Sequence, residues 1–310
     1  MAKLRTALSA LGAAKDAGRA RALFDDPGTV IVDGELFPPD SVRPPVTGAR
    51  TLLLRVVQDD ASGGMDSAAA LSGCERDAFA VVHIPEARDF IALLAFNPRA
   101  RVEAGLTFGE LIETSGRPVC VAMVEEFLGI RVDHVLELRA EALGAVVDEI
   151  GTLPVYSRTA FAADGVQFAE GTNRLDGRGA VVFAAASAVD DAGQTRTRNQ
   201  RALLRALVLG LRSSGLAQSP AKLASVLGHI AHGARKDSRL STLELGKLGR
   251  ELRSVAADDL VAVTVPSRSR REEDGSVTVD FDQEAAPALR EALHDGQAAE
   301  FVRGLASMGY

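Results

Sequence analysis

Three apolar runs of strand length stand close together in this chain and restrict its fold more than any other feature. They are RTLLLRVV (50–57), DAFAVVHIP (77–85) and DFIALLAFNP (89–98), the last two separated only by Glu86-Ala87-Arg88. That spacing predicts an antiparallel hairpin inside a larger sheet. Segments with helical period follow. PVCVAMVEEFLGI reads as a helix and RVDHVLELR as a strand. AEALGAVVDEIG sets Leu143, Val146, Val147 and Ile150 on one helical face and stops at Gly151. LPVYS is a strand candidate, and LDGRGAVVFAAASAV reads as a buried helix of small residues. NQRALLRALVLGLRSSG predicts a long helix with Leu203, Leu204, Leu207 and Leu211 on its apolar side. Two more helices are expected near 220–234 and 241–255. The strands DLVAVTVP and SVTVDFD and a final helical stretch come after them. Strands and helices alternate without repeats, so the expected architecture is an α-β-α sandwich with a central mixed sheet flanked by helices.

The chain divides on this reading into residues 1–44, an amphipathic helix and an arm; 45–295, the α/β domain; and 296–310, a tail. The arm, DDPGTVIVDGELFPPDSVRPPVTG, is rich in Pro, Gly and Asp and has room for one edge strand. Leu4, Leu8, Leu11 and Leu23 give the first segment an apolar face suited to packing on the domain. Its basic residues are spread throughout, unlike a signal peptide, and no run reaches the ~18 apolar residues of a membrane span. The sequence as written therefore predicts a cytoplasmic chain. A net charge of −7 argues against a general electrostatic grip on nucleic acid. The two cysteines, Cys74 and Cys120, lack metal-binding spacing and are either unpaired thiols or one disulfide. His229 and His232 share a helical face without a visible third ligand, and SRSRREED reads as a solvated loop.

Ser62-Gly63-Gly64-Met65-Asp66-Ser67 resembles the SGGxDS signature of PP-loop ATP pyrophosphatases. A phosphate cradle needs several backbone N–H groups aimed at one anion with a helix directly behind. Here Gln58-Asp59-Asp60-Ala61 separates strand from loop, two carboxylates guard the mouth, and SAAAL reaches Ser72-Gly73 almost at once. A plain turn is the better reading. An ATP-dependent PP-loop enzyme stays as the alternative.

A second resemblance is carried by order. FLGIRVDHVLEL resembles the Gly-Ile-x-Ile-Asp-His segment of the LytR-CpsA-Psr family, and EALGAVVDEIG the helix after it. GTNRLDGRGAVVFA resembles that family's Leu-Asp-Gly segment, and the stretch from SPAKLASVLG to DDLVAVTVP its closing helices and strand. CERDAFAVVHIP and AFNPRARV fall where its Arg-[Ser/Thr]-Asp and Ser-Ile-Pro-Arg-Asp motifs belong. Family members transfer glycopolymers from a polyisoprenyl (pyro)phosphate carrier to the bacterial cell wall. The resemblance thus implies a lipid carrier and a cell-wall glycopolymer as partners, no nucleic acid, and a membrane-anchored, extracytoplasmic setting if the chain is truncated. It also implies arginines around a pyrophosphate and carboxylates holding Mg²⁺, because displacement at phosphorus proceeds by positioning and neutralising charge.

Carried over position by position, the resemblance marks Arg76, Arg99, Arg196 and Arg198 as phosphate-binding candidates. Asp77 with Asp59 or Asp60 are the metal-binding ones. The pattern is incomplete. Glu75 stands at the first arginine position, Ala100 replaces an aspartate, and Ala185-Ala186-Ser187 replaces an Arg-x-Arg. The expected protein is thus a family relative with weakened or lost phosphotransferase chemistry that binds an isoprenoid phosphate or a partner. An apolar lipid pocket is predicted between the sheet and the helices near 119–128 and 199–211, with Arg99 and Arg198 at its mouth.

Overall fold

The computed structural model describes residues 15–58, 73–102, 105–187, 191–282, 284–294 and 297–308. Residues 15–24 are helical (α1), and the arm after them follows three short 3₁₀ turns. The expected edge strand is there a single bridge, Val30 to Lys236, since proline and aspartate interrupt any longer ladder. Next come β1 (Arg50–Val57), α2 (Gly73–Arg76), β2 (Ala78–Ile84), β3 (Ile91–Phe96) and β4 (Ala100–Arg101). Then follow α3 (Phe108–Ser115), α4 (Arg117–Leu128), β5 (His134–Arg139), α5 (Ala140–Ile150) and β6 (Leu153–Ser157). After β7 (Phe161–Ala163), β8 (Val166–Phe168) and β9 (Gly171–Leu175) the chain turns helical in α6 (Gly177–Ala185) and α7 (Gln194–Ser213). The last part holds α8 (Pro220–Gly233), β10 (Ala234–Lys236), α9 (Thr242–Ser254), β11 (Leu260–Thr264), β12 (Ser267–Arg271) and β13 (Val277–Phe281). It closes with α10 (Ala285–His294) and α11 (Ala298–Ser307).

The central sheet has the order β10-β5-β1-β2-β3-β11 and is mixed. The predicted hairpin is β2–β3, with Val81 opposite Leu94, and β1 runs parallel to β5. Alternate side chains feed two cores, as the strand period of two requires. Leu53, Val81, Leu94 and Val135 join α3, α4, α10 and α11 on one face. Val56 and Leu136 join α5, α6, α7 and α8 on the other. The fold is an α-β-α sandwich.

Local chemistry explains the boundaries. Gly151 ends α5 at φ 99°, and Gly129 ends α4 in the left-handed region at φ 67°. A capping box between Thr107 and Glu110 starts α3, which the apolar pattern does not reveal. SRSRR is a strand, not a loop: β12 pairs antiparallel with β13, and its Arg268 meets Asp282 at 2.8 Å and Arg270 meets Glu272 at 3.3 Å. The polar sequence hides a strand with four of its five residues exposed. Both cysteines are free and buried, so the disulfide alternative falls; burial pushes the Cys120 thiol up to about 12.

Candidate functional site

β1, β3, β5 and β11 run in one direction, so their carboxyl ends share an edge. In open α/β sheets this edge is where crevices for ligands form. Gln58 lies just past β1, Asn97 and Arg99 past β3, and Thr264 ends β11. α7 starts above them. Its first turn is built by Asp191, which accepts hydrogen bonds from the N–H groups of Gly193 (3.0 Å) and Thr195 (2.8 Å). Gly193 sits at φ 80°. A Cβ at Gly193 would lie 3.2 Å from both Arg99 Cδ and Asn97 Oδ1, so glycine lets Arg99 lie against the helix start. Asn97 Nδ2 donates to Ala192 O at 3.1 Å and completes the join.

Arg198 leaves α7 and donates to Thr195 Oγ1 at 3.0 Å; Arg201 donates to Thr264 Oγ1 at 3.2 Å. Burial holds the Arg201 guanidinium at about 10, and the nearby positive charges of Arg198 and Arg158 add to that depression. Arg198 is lowered by burial and by Arg158 in the same way. Among the described residues, no carboxylate lies within ion-pair distance of Arg99, Arg158, Arg198 or Arg201. Asp191 offsets part of the charge at Arg198, but none of these arginines is held in an ion pair among the described residues, which leaves them able to accept an anion.

Beside Arg201 opens an apolar pocket between α7 and the sheet, lined by Leu54, Val56, Ala80, Leu203, Leu204 and Leu207 among others. It has about 40 Å³ of free space, room for about one water molecule. Two amides interrupt its apolar wall. Gln58 and Gln200 are only 8% and 7% exposed, yet Gln58 Oε1 and Gln200 Nε2 have no hydrogen-bond partner among the described residues. Each such group costs about 1–3 kcal/mol when left unmet, and functional sites are where this is tolerated.

Of the four phosphate-binding candidates, Arg99 lies against Gly193 just before α7, and Arg198 bonds Thr195 in its first turn. Arg196 instead turns to the end of α6, donating to Ala185 O (3.0 Å) and Ser187 Oγ (3.2 Å). Arg76 is half-buried on α2, and its neighbour Glu75 is buried where α2 meets α3. A Cβ on Gly109 would lie 2.8 Å from the Glu75 nitrogen. α4 does not line the apolar pocket: it packs on the opposite face of the sheet, within the other core. Arg158, Arg201, Gln58 and Gln200 carry no motif and emerge only from the folded arrangement.

On the α4 side of the sheet, Asp77 belongs to a charge network. Its Oδ2 accepts from Arg55 Nε at 2.7 Å and its Oδ1 from the Gln58 N–H at 3.0 Å. Arg55 also donates to Glu137 at 3.1 Å, and Arg117 Nε reaches the same oxygen at 2.8 Å. Burial opposes ionisation of Glu137, but hydrogen bonds from Arg117 and the charge of Arg55 hold it below the usual range. Both Asp77 oxygens are thus engaged. Among the described residues, no group of three His, Cys, Asp or Glu side chains is placed to hold an ion. Of the expected Mg²⁺ ligands only Asp77 is among the described residues; Asp59, Asp60 and SGGMDS lie outside them. His232 Nδ1 meets Gly228 O at 2.6 Å, and His229 meets Ser225 at 3.4 Å. No described helix is long and apolar enough to cross a membrane.

The model of the LytR_cpsA_psr family matches residues 68–295. The polyisoprenyl-teichoic acid–peptidoglycan teichoic acid transferase TagU of Halalkalibacterium halodurans is 28% identical over 127 residues, 40% of this chain and 41% of that protein. TagU of Bacillus subtilis is 31% identical over 94 residues, 30% of this chain and 31% of that protein. The matched segments span less than half the length of these relatives. Among solved structures, B. subtilis TagV superimposes with a TM-score of 0.63 at 17% identity, covering 80% of this chain and 96% of that one. TagT bound to LI-WTA gives 0.60 at 18% identity, with 85% and 96% covered. At such identities the likeness is one of fold.

Proposed function

The chain belongs to the LytR_cpsA_psr family, and on that premise we propose that it serves cell-envelope glycopolymer assembly by holding a polyisoprenyl (pyro)phosphate-linked glycopolymer. The observation that carries this reading is Arg201: a guanidinium lowered to about 10, without a carboxylate partner among the described residues, on the wall of an apolar pocket. An amphipathic ligand suits both halves. Its phosphate would neutralise Arg198 and Arg201, with Arg158 and Arg99 alongside, and its isoprenoid chain would enter among Leu203, Leu204 and Leu207. The free space is too small for that chain as the pocket stands. Tail binding therefore requires α7 to move outward or its leucines to change rotamer, and would bring Gln58 and Gln200 near the headgroup.

Transfer chemistry is weakened on this reading. Asp77 is committed to Arg55 and the Gln58 N–H, and Ala185 and Ser187 occupy positions where the family pattern has arginine. What remains is anion binding without a described set of metal-holding carboxylates. Family membership leaves the PP-loop alternative without support. The test is native mass spectrometry with undecaprenyl phosphate, followed by Mg²⁺-dependent phosphate release from a polyisoprenyl pyrophosphate. The expected result is a one-to-one lipid complex, lost in Arg198→Ala/Arg201→Ala, with phosphate release near background. Rapid wild-type release would overturn the weakened chemistry, and an absent lipid complex would overturn the binding reading.

A further inference from the structure

α7 has a second cavity on its back. Gln200, Arg201, Leu203, Leu204 and Leu207 face the apolar pocket, whereas Ala202, Arg205, Ala206, Leu209, Gly210 and Ser213 border a groove against β6 and β9. Its volume is about 380 Å³, within the ~300–1,000 Å³ range of small-molecule sites. We propose that this groove binds a small aromatic acid, a flat ring system that carries a single carboxylate. The site shares no lining residue with the pocket assigned to the lipid phosphate and stands independently of that reading.

The groove has a flat floor and one open ring. Ala202, Ala206 and Gly210 share a face of α7 at i, i+4 and i+8, and their small side chains leave the floor low. A Cβ at Gly210 would run into Leu153 Cδ2, so helix and strand already approach as closely as glycine permits. On the strand wall, Tyr156 pairs across to Thr172, and Pro154 lies two residues earlier on the same face. Tyr156 is 62% exposed, and it stacks on no other ring among the described residues. An aromatic ligand supplies the missing partner in an offset or edge-to-face contact. Ile150, Leu153 and Leu209 give that ligand an apolar surround.

Charge and hydrogen bonding narrow the class. On the helix wall Arg205 is exposed, and among the described residues no carboxylate lies within ion-pair distance of it. Its guanidinium is a donor-only fork whose shape matches the two oxygens of a carboxylate. None of the lining residues is Asp, Glu, Asn or Gln, so the groove has no planar side-chain acceptor for the vicinal hydroxyls of a sugar. Its remaining polar groups are the hydroxyls of Thr152, Thr172, Ser213 and Tyr156. A polyhydroxylated ring would lose water there without replacing most of its hydrogen bonds. A ligand with one carboxylate and a flat apolar ring loses little, since Arg205 takes the charge and Tyr156 the ring.

Isothermal titration of the full chain with indole-3-acetate, indole-3-acetamide, acetate and glucuronate tests this. The four probes carry ring and charge, ring alone, charge alone, and charge on a hydroxylated ring. Tyr156→Ala and Arg205→Gln change exposed side chains, and thermal melts check that each variant folds. The expected result is one-to-one binding of indole-3-acetate, at least about 10-fold tighter than the other three probes. Arg205→Gln should weaken it about 10-fold and Tyr156→Ala about 5-fold. Saturating farnesyl pyrophosphate should leave the indole acid bound. Absent binding, binding that both substitutions leave unchanged, or displacement by farnesyl pyrophosphate overturns the site. Glucuronate that binds as tightly as indole-3-acetate overturns the ligand class. A chain that takes indole-3-acetate in this way but no farnesyl pyrophosphate strikes the lipid reading and leaves the groove standing.

Discussion

Replacing Arg201 by methionine should stabilise the protein while removing its affinity for isoprenoid phosphates. Burial and the neighbouring Arg198 and Arg158 lower Arg201 from its ordinary value to about 10. At about 1.4 kcal/mol per pH unit, keeping it charged in the fold costs about 3 kcal/mol at most. The side chain is partly exposed at the pocket mouth, and solvent screening reduces this to about 1–2 kcal/mol. The sign follows from a base whose folded pKa is depressed. Below pH 10 both folded and unfolded chains carry the charge, so the full penalty applies at pH 7. Methionine keeps the packing against Leu204 and forfeits the 3.2 Å bond to Thr264, a loss of about 1 kcal/mol. The net expectation is a Tm unchanged or raised by about 2–4 °C at pH 7. A pyrophosphate lipid at about 100 times its Kd should raise wild-type stability by about 2.7 kcal/mol and the variant by far less. Thermal melts by circular dichroism, with and without farnesyl pyrophosphate, read both effects. A variant that melts well below wild type yet keeps the lipid-induced shift would show that Arg201 is a structural residue.

His83 is buried, with Nδ1 3.0 Å from Thr51 Oγ1, and burial, helped by Arg88, lowers it to about 4. Below pH 6.5 the unfolded chain takes up a proton that the fold refuses, so stability falls by up to about 3 kcal/mol between pH 6.5 and 4. Urea titrations at pH 7 and pH 5 should show this slope reduced in His83→Gln; an identical slope contradicts it. Asp77→Asn should cost about 3 kcal/mol in urea unfolding, because it breaks a buried pair with Arg55, and a loss under about 1 kcal/mol would mean that Glu137 alone satisfies Arg55. Gly177→Ala should destabilise by about 2–4 kcal/mol, since its Cβ would strike Gly144 O and the Asp148 carboxylate. A near-neutral change would show that α5 and α6 can separate.

The elements legible in the sequence are those whose local and long-range demands agree. The β2–β3 hairpin has two apolar strands and a short link, and α5 has an apolar face with Gly151 at its end. β12 escaped because its arginines face solvent and pair with Asp280 of β13 and Asp282 just after it, so its composition resembles a loop. α4 was recognised as a helix but placed on the wrong face, because Val121, Val124 and Leu128 could cover either side of a sheet that is apolar on both. The site divides in the same way. Arg99 and Arg198 came from ordered motifs. Arg201 reads as one polar position in a leucine-rich helix until α7 sets it beside Thr264. Gln58 and Gln200 share a pocket only because β1 ends under α7. Arg196 and Arg198 stand two residues apart in one motif, and the helix twist turns Arg196 toward the carbonyl end of α6.

The central claim is that arginines at the start of α7 and the apolar pocket beneath form one lipid-phosphate site. Isothermal titration of farnesyl pyrophosphate and inorganic pyrophosphate into wild type, Arg198→Ala and Leu204→Asp tests it most directly. Farnesyl pyrophosphate should bind wild type tightly and inorganic pyrophosphate far more weakly. Removing one charged hydrogen-bond donor in Arg198→Ala should weaken the lipid by about 10- to 100-fold, and a carboxylate in the pocket wall at Leu204 should abolish the advantage of the lipid over pyrophosphate. Equal affinity for both compounds in wild type, or lipid binding that survives both substitutions, contradicts the account.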